Sequence, residues 1–384
     1  MKKSYYLLIA CLLLLFAIPA SAQDIPTFSE LPLGEWSQID VPDGICLYGA
    51  DYSFYVRPNE EPTDNLLIYF QGGGACWDGF TCGSIGQFAS FFDVSPTLMN
   101  FYQRGIFDFE NDNNPLLDYN MVFLPYCTGD VHSGSNEITF DVPPEANADF
   151  EQIDVFFNGY NNAQLVLDWV YDNFPQPEQI VVSGCSAGGY GAITNAPFVM
   201  EHYQGTPTAL IADASAGVLT SDWQGTTTWG SLSVLPEFIP ALANVDPDSY
   251  DTTYHIEQSA IYFPENEFAQ YNSYIDGVQV GFYAASQGGE LDFETQGVAI
   301  AAQWSATLLR NTTALSAYDN YNYYTAGGFE HCVVNNDLFY EYDQSGVVFA
   351  DWFGDVIAES ADNVTCSVLN GSCFVAPNED EATD

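Results

Sequence analysis

Beyond Lys3 the 384-residue sequence has no lysine, and its remaining basic side chains are Arg57, Arg104 and Arg310. Against them stand 52 aspartates and glutamates, a formal net charge of −47 at pH 7. A field of one sign repels phosphate, which argues against nucleic acid or anionic lipid as a partner. Long apolar runs are scarce as well. The stretch Leu7 to Ile18 is shorter than the roughly 20 residues that cross a bilayer. With Lys2 and Lys3 before it and Ala20-Ser21-Ala22 after it, residues 1–22 read as an export signal, so the exported chain is expected to begin at Gln23. No later segment is apolar enough to span a membrane, and a secreted protein, extracellular or periplasmic, is expected. Paired C-x-x-C spacings are missing too, which leaves no sequence case for zinc. The expectation is an enzyme without metal or cofactor.

Of nine cysteines, Cys11 leaves with the export signal. Cys46, Cys76, Cys82, Cys127, Cys185, Cys332, Cys366 and Cys373 remain, an even set that reads as disulfides in an exported chain. Cys76–Cys82 and Cys366–Cys373 are plausible short-loop bridges; spacing leaves the other pairings open. So many carboxylates without lysine also repel one another. Screening by salt shortens the Debye length to about 3 Å at 1 M, so greater stability in high salt is expected.

Apolar runs punctuated by glycine and proline then mark the fold. Leu66 to Phe70 reads as a buried strand before three glycines, and Met121 to Leu124 as another. Val166, Trp169, Val170 and Phe174 share helical spacing within 161–174, and Pro175 and Pro177 stop that helix. Ile180 to Val182 is a strand entering Gly184, a helix follows from about Gly188 toward His202, and Ala209 to Ala212 is a strand ending in Asp213. Later come a strand leading to Asp276, a helix from Asp292 to Leu309, and a strand from Tyr321 to Tyr324. Alternation of this kind means an α/β class, a mostly parallel central sheet with helices on both faces. One domain over residues 23–376 is expected, with an acidic, disordered tail at 377–384.

Gly184-Cys185-Ser186-Ala187-Gly188-Gly189 lies between a strand and a helix, the context that a G-x-S-x-G nucleophile turn requires. Glycines suit it because the turn is strained and its backbones crowd. A nucleophilic serine needs a base, and the chain has four histidines. His202 falls in the helix after the turn, His255 precedes the candidate acid, and His132 lies in a loop where it could line the pocket. His331 is late enough to leave room for an acid between, the chain order Ser, acid, His. For the acid, Asp213 and Asp276 compete, and strand order favours Asp276. Gln71-Gly72-Gly73-Gly74 follows the first strong strand. The amides of Gly73 and Gly74, with that of Ala187, are candidates for an oxyanion hole. A phosphate loop is the rival reading of these glycines, but no Lys-Ser or Lys-Thr follows.

Five segments occur in a telling order: Tyr69 to Trp77, Pro125 to Gly134, Gly184 to Gly189, Asp276-Gly277-Val278-Gln279, and His331-Cys332. The series resembles the pectin acetylesterase/Notum family of carboxylesterases, over roughly Leu47 to Cys373. Gln71 departs from it, standing where that family usually has Glu. The resemblance implies an α/β-hydrolase-like fold and a triad of Ser186, Asp276 and His331, with Asp213 lining the site outside the triad. Trp77, Asp130, His132 and Gln279 are further candidates for the pocket lining. It also implies an acetylated polysaccharide as substrate, with longer acyl esters as the alternative; a catalytically silent glycan-binding protein is the non-enzyme reading. A monomer is expected.

Overall fold

The computed structural model describes residues 25–84, 94, 95, 97–146, 148–220, 223–287 and 293–377. The predicted export signal and the acidic residues beyond 377 lie outside these. The strands β1 (Ser37–Ile45), β2 (Asp51–Arg57), β3 (Leu66–Phe70) and β4 (Asn120–Leu124) come first. β5 (Asn136–Asp141) and β6 (Gln152–Phe157) pair as a separate antiparallel ribbon. Then follow β7 (Ile180–Cys185), β8 (Thr208–Asp213), β9 (Glu267–Ser273) and β10 (Tyr321–Ala326), a short pair β11 (Asp343–Gln344) and β12 (Val347–Val348), and β13 (Val364–Thr365). The main sheet has nine strands in the order β1-β2-β4-β3-β7-β8-β9-β10-β13. β1 and β2 run antiparallel at one edge, β2 is antiparallel to β4, and every pairing from β4 to β13 is parallel.

Side chains of the inner strands are buried on both faces, which explains their unbroken apolar runs. In β3, Leu66, Ile68 and Phe70 face one core, while Leu67 and Tyr69 face the other. The helices α1 (Gly159–Asn173), α2 (Ala187–His202) and α3 (Thr252–Tyr262) cover the first face through Val166, Ile193 and Ile256. α4 (Gly277–Ala285) packs against α5 (Phe293–Leu315) through Ala284 and Trp304, and α6 (Phe349–Ile357) closes the second face with Phe349, Trp352 and Phe353. Helices therefore lie on both sides of a mostly parallel sheet, as the alternating pattern predicts.

Two expectations shift. The strand leading toward Asp276 stops at Ser273, and Asp276 instead caps α4, accepting the N–H of Val278 and of Gln279. The helix expected to end at Leu309 continues to Leu315. The Thr312 hydroxyl donates back to the Leu308 carbonyl at 3.0 Å, and Leu315 is buried in the core.

All eight described cysteines pair: Cys46–Cys127, Cys76–Cys82, Cys185–Cys332 and Cys366–Cys373. The carboxyl ends of β3, β7, β8, β9 and β10 point the same way, since these strands are parallel neighbours. In such sheets that edge is where ligands bind. The loops leaving it carry Gly72 to Gly74, Ser186, Asp213, Asp276 and His331.

Candidate active site

Ser186 occupies a backbone conformation that side chains rarely adopt, φ 57° and ψ −125°, between the end of β7 and the start of α2. This strained turn is the kind concentrated at functional sites. It is held by β8 and the loop after it: the Ser186 N–H donates to the Asp213 carbonyl at 2.9 Å, and the Ser215 hydroxyl donates to the Ser186 carbonyl at 3.0 Å. The flanking glycines answer to packing. A Cβ on Gly188 would fall on the Phe70 carbonyl, and one on Gly72 would fall on the Cys185 carbonyl. The glycine loop after β3 thus lies directly against the serine turn, and the same Gly72 Cβ would stand 3.2 Å from the Ser186 Cβ.

His331 and Asp276 meet. The imidazole Nδ1 is 2.9 Å from Oδ2 and 3.0 Å from Oδ1 of Asp276. Asp276 is fully buried and His331 is 17% exposed. The carboxylate also accepts from the Gln279 side-chain Nε2 at 2.8 Å and from the backbone N–H of Val278 and Gln279 at 3.1 and 2.9 Å. Burial alone would disfavour the charged imidazole. The hydrogen bond and charge of Asp276, with the charge of Asp213 behind them, outweigh it and raise the His331 pKa above its ordinary 6.5.

Ser186 and His331 border one cavity of about 120 Å³, together with Gly74 and Ala187. Ile193, Val218, Leu219, Trp223, Trp229, Val278 and Phe282 give its walls a broad apolar surface, among which stand polar side chains that include Thr226, Thr252, Tyr190, Tyr250 and His255. Ala187 is the first residue of α2, so its N–H has no partner within the helix. Gln279 also borders the cavity, as the sequence suggests.

The other candidates sit one layer back. Trp77 packs edge-on against Trp223, ring centroids 4.9 Å apart, and so backs a wall residue. His132 is buried with Nε2 2.8 Å from the Gln71 carbonyl, and burial lowers its pKa to about 4. Asp130 accepts from Thr128, from the His132 N–H and from the Gly159 N–H that opens α1. Desolvation pushes its pKa up to about 6. Both residues brace the loop after β4 and do not reach the cavity. Asp213 faces away from the cavity as well: its Oδ2 accepts the N–H groups of Val333 and Val334 at 2.7 and 2.8 Å, just past His331. Gln71 is buried between Tyr102, to which it donates, and the Tyr126 N–H, which it accepts.

Among the described residues, Cys185, His331 and Cys332 bring ligand-type atoms within 4.8 Å of one another, but the two sulfurs are bonded together and are not thiolate donors. This bridge was not foreseen, although each of its cysteines adjoins a candidate catalytic residue in the sequence.

A family model described as pectinacetylesterase matches residues 37–273, more than half of the chain. The chain belongs to that family. Palmitoleoyl-protein carboxylesterase notum2 of Xenopus laevis is 26% identical over 155 residues, 39% of this chain and 29% of its own length. Pectin acetylesterase 4 of Arabidopsis thaliana is 24% identical over 196 residues, 48% of this chain and 44% of its own length. The chain thus aligns with less than half the length of each of these curated relatives. The solved structure of the Wnt deacylase Notum from Drosophila superposes with a TM-score of 0.60 over 88% of this chain and 99% of that one, at 16% identity, a likeness of fold. The pectinacetylesterase match takes in the glycine loop, Ser186 and Asp213, and ends three residues before Asp276. Beyond its end the case for Asp276 and His331 rests on their geometry.

Proposed function

We propose that the chain is a serine carboxylesterase, with Ser186 as nucleophile, His331 as general base and Asp276 orienting that base. One observation carries the reading: the buried Asp276 holds the Nδ1 side of His331, while His331 and Ser186 border the same cavity. With Nδ1–H donating to Asp276, Nε2 keeps its lone pair and takes the serine proton as the hydroxyl attacks an ester carbonyl. The Gly73, Gly74 and Ala187 amides receive the developing oxyanion, one such donor being worth about 3 kcal/mol. His331 then protonates the leaving alcohol. Water, activated by the same ring, frees the acid.

The substrate proposed is an acetyl ester on a polysaccharide, supported by the family and by relatives named pectin acetylesterases. A neutral glycan suits a chain of net charge −47 better than a polyanion. The cavity wall favours a second reading, an acyl chain longer than acetyl. Trp223, Trp229, Ile193 and Phe282 offer more apolar surface than one methyl group needs. Export of a monomer through the predicted signal completes the proposal, and four disulfides agree with an oxidising destination.

Hydrolysis of p-nitrophenyl acetate and octanoate, beside acetate release from acetylated xylan and pectin, tests both readings. Acetate turnover abolished by Ser186→Ala supports the first; a preference for octanoate with no acetate release from glycans supports the second. A folded chain that cleaves none of them overturns both.

A further inference from the structure

Cys185 and Asp213 end neighbouring strands and are register partners across the sheet. Each reaches the same loop. Cys185, just before Ser186, is bonded to Cys332, just after His331, with Cα atoms 5.6 Å apart. Asp213 receives the next two N–H groups, those of Val333 and Val334. Cys332 itself is in the left-handed region at φ 66°, a conformation the loop would not hold without restraint. Asp213 pays for its place: its Oδ1 is buried and lacks a hydrogen-bond partner among the described residues. An uncompensated buried oxygen is costly, which is a poor solution if fastening a loop were the whole task.

We infer that Cys185 and Asp213 are positioning residues that set the backbone of the His331 loop against Ser186, the first through a covalent bond and the second through paired hydrogen bonds. The inference rests on the proposed triad. Asp276 fixes the ring from the α4 side, whereas these two fix the chain that carries the ring. Without them the loop carries the imidazole away from both the serine and its acid partner. A misplacement of about 1 Å can cost about 10²-fold in rate. Asp213 also acts through charge where it is ionised, helping to raise the His331 pKa, while burial pushes its own pKa up to about 7. The titratable groups sharing its surroundings are His331, Asp276, Tyr69 on β3 and Tyr271 on β9.

The test compares Cys185→Ser/Cys332→Ser with Cys46→Ser/Cys127→Ser, which also opens a long covalent loop, and Asp213→Asn with Asp213→Ala. For each, kcat and KM on p-nitrophenyl acetate, the melting temperature and the downfield Nδ1–H proton resonance of His331 are measured. The expected result is a fall of about 10²-fold in kcat, KM within about 3-fold and a lost resonance for the first pair, with kcat kept in the second. Asp213→Ala loses kcat, while Asp213→Asn, which retains an acceptor, recovers most of it with a pH midpoint shifted lower. If the Cys185 pair does not fold, the Asp213 variants decide alone. Unchanged kcat and resonance in folded variants, or kcat losses that simply follow melting temperature in both cysteine pairs, overturn the inference. If wild-type protein cleaves no ester, the triad reading fails, and the resonance still reports whether the loop has moved.

Discussion

Gln279 reaches back to Asp276 twice, its Nε2 lying 2.8 Å from Oδ2 and its N–H 2.9 Å from Oδ1. Its own Oε1 accepts the Ala216 N–H at 2.8 Å, so one side chain ties the acid to the loop after β8. Asp276→Asn retains an oxygen for the helix cap but spoils the contact with His331. Its kcat is expected to fall by about 10⁴-fold, the loss seen when such an aspartate becomes asparagine, at nearly unchanged melting temperature. Asp276→Ala loses the cap as well, a further cost of about 1 kcal/mol in denaturant unfolding.

The pH profile follows from the same contact. In the proposed mechanism His331 accepts the serine proton as a neutral ring, so kcat/KM is expected to rise with pH through a midpoint above 6.5. Removing the acid leaves burial unopposed by its nearest charge, and in Asp276→Asn the midpoint of the residual activity moves downward. A midpoint that stays put would mean that the imidazole seen by kinetics is not the one bonded to Asp276.

Gly72→Ala and Gly188→Ala place a methyl group on the backbone carbonyls of Cys185 and Phe70 respectively. Neither backbone can step aside without dragging the serine turn along. Each variant is expected to lose about 1–3 kcal/mol of stability and most of its esterase activity. Gly281→Ala, on the open side of α4 with nothing within 4 Å of the added carbon, serves as the tolerated control.

Charge sets the response to salt. Arg57 is buried under the Phe109 ring and Arg104 pairs with Asp337 at 3.4 Å, so little basic charge is spread among the carboxylates. The melting temperature is expected to rise between 0.1 and 1 M NaCl, as the Debye length shrinks from about 10 to about 3 Å. A melting temperature that falls over this range contradicts the expectation.

The parts of this fold that were legible in the sequence are those governed by local pattern. Leu66 to Phe70 is a strand over those very residues because burial on both faces leaves no polar position to blur its limits. The serine turn and the glycine loop announce themselves because few residues tolerate such crowding. Contacts between distant segments were harder to read. Among 52 carboxylates nothing local marks Asp276, which gains its meaning by capping α4 beneath His331. Asp213 was legible as a residue near the site, but not as an anchor, since its partners are backbone N–H groups that carry no sequence mark. The edge pair β1 and β2 was missed for a related reason: β1 mixes Asp, Pro and Gly with its apolar residues and is a strand through pairing with β2.

The most direct measurement is covalent labelling by a fluorophosphonate, located by peptide mass spectrometry. A single adduct on Ser186 is expected in the wild-type chain, absent from Ser186→Ala and formed far more slowly in His331→Ala. A folded protein that takes no label, or takes it on another residue, would contradict the catalytic assignment at its centre.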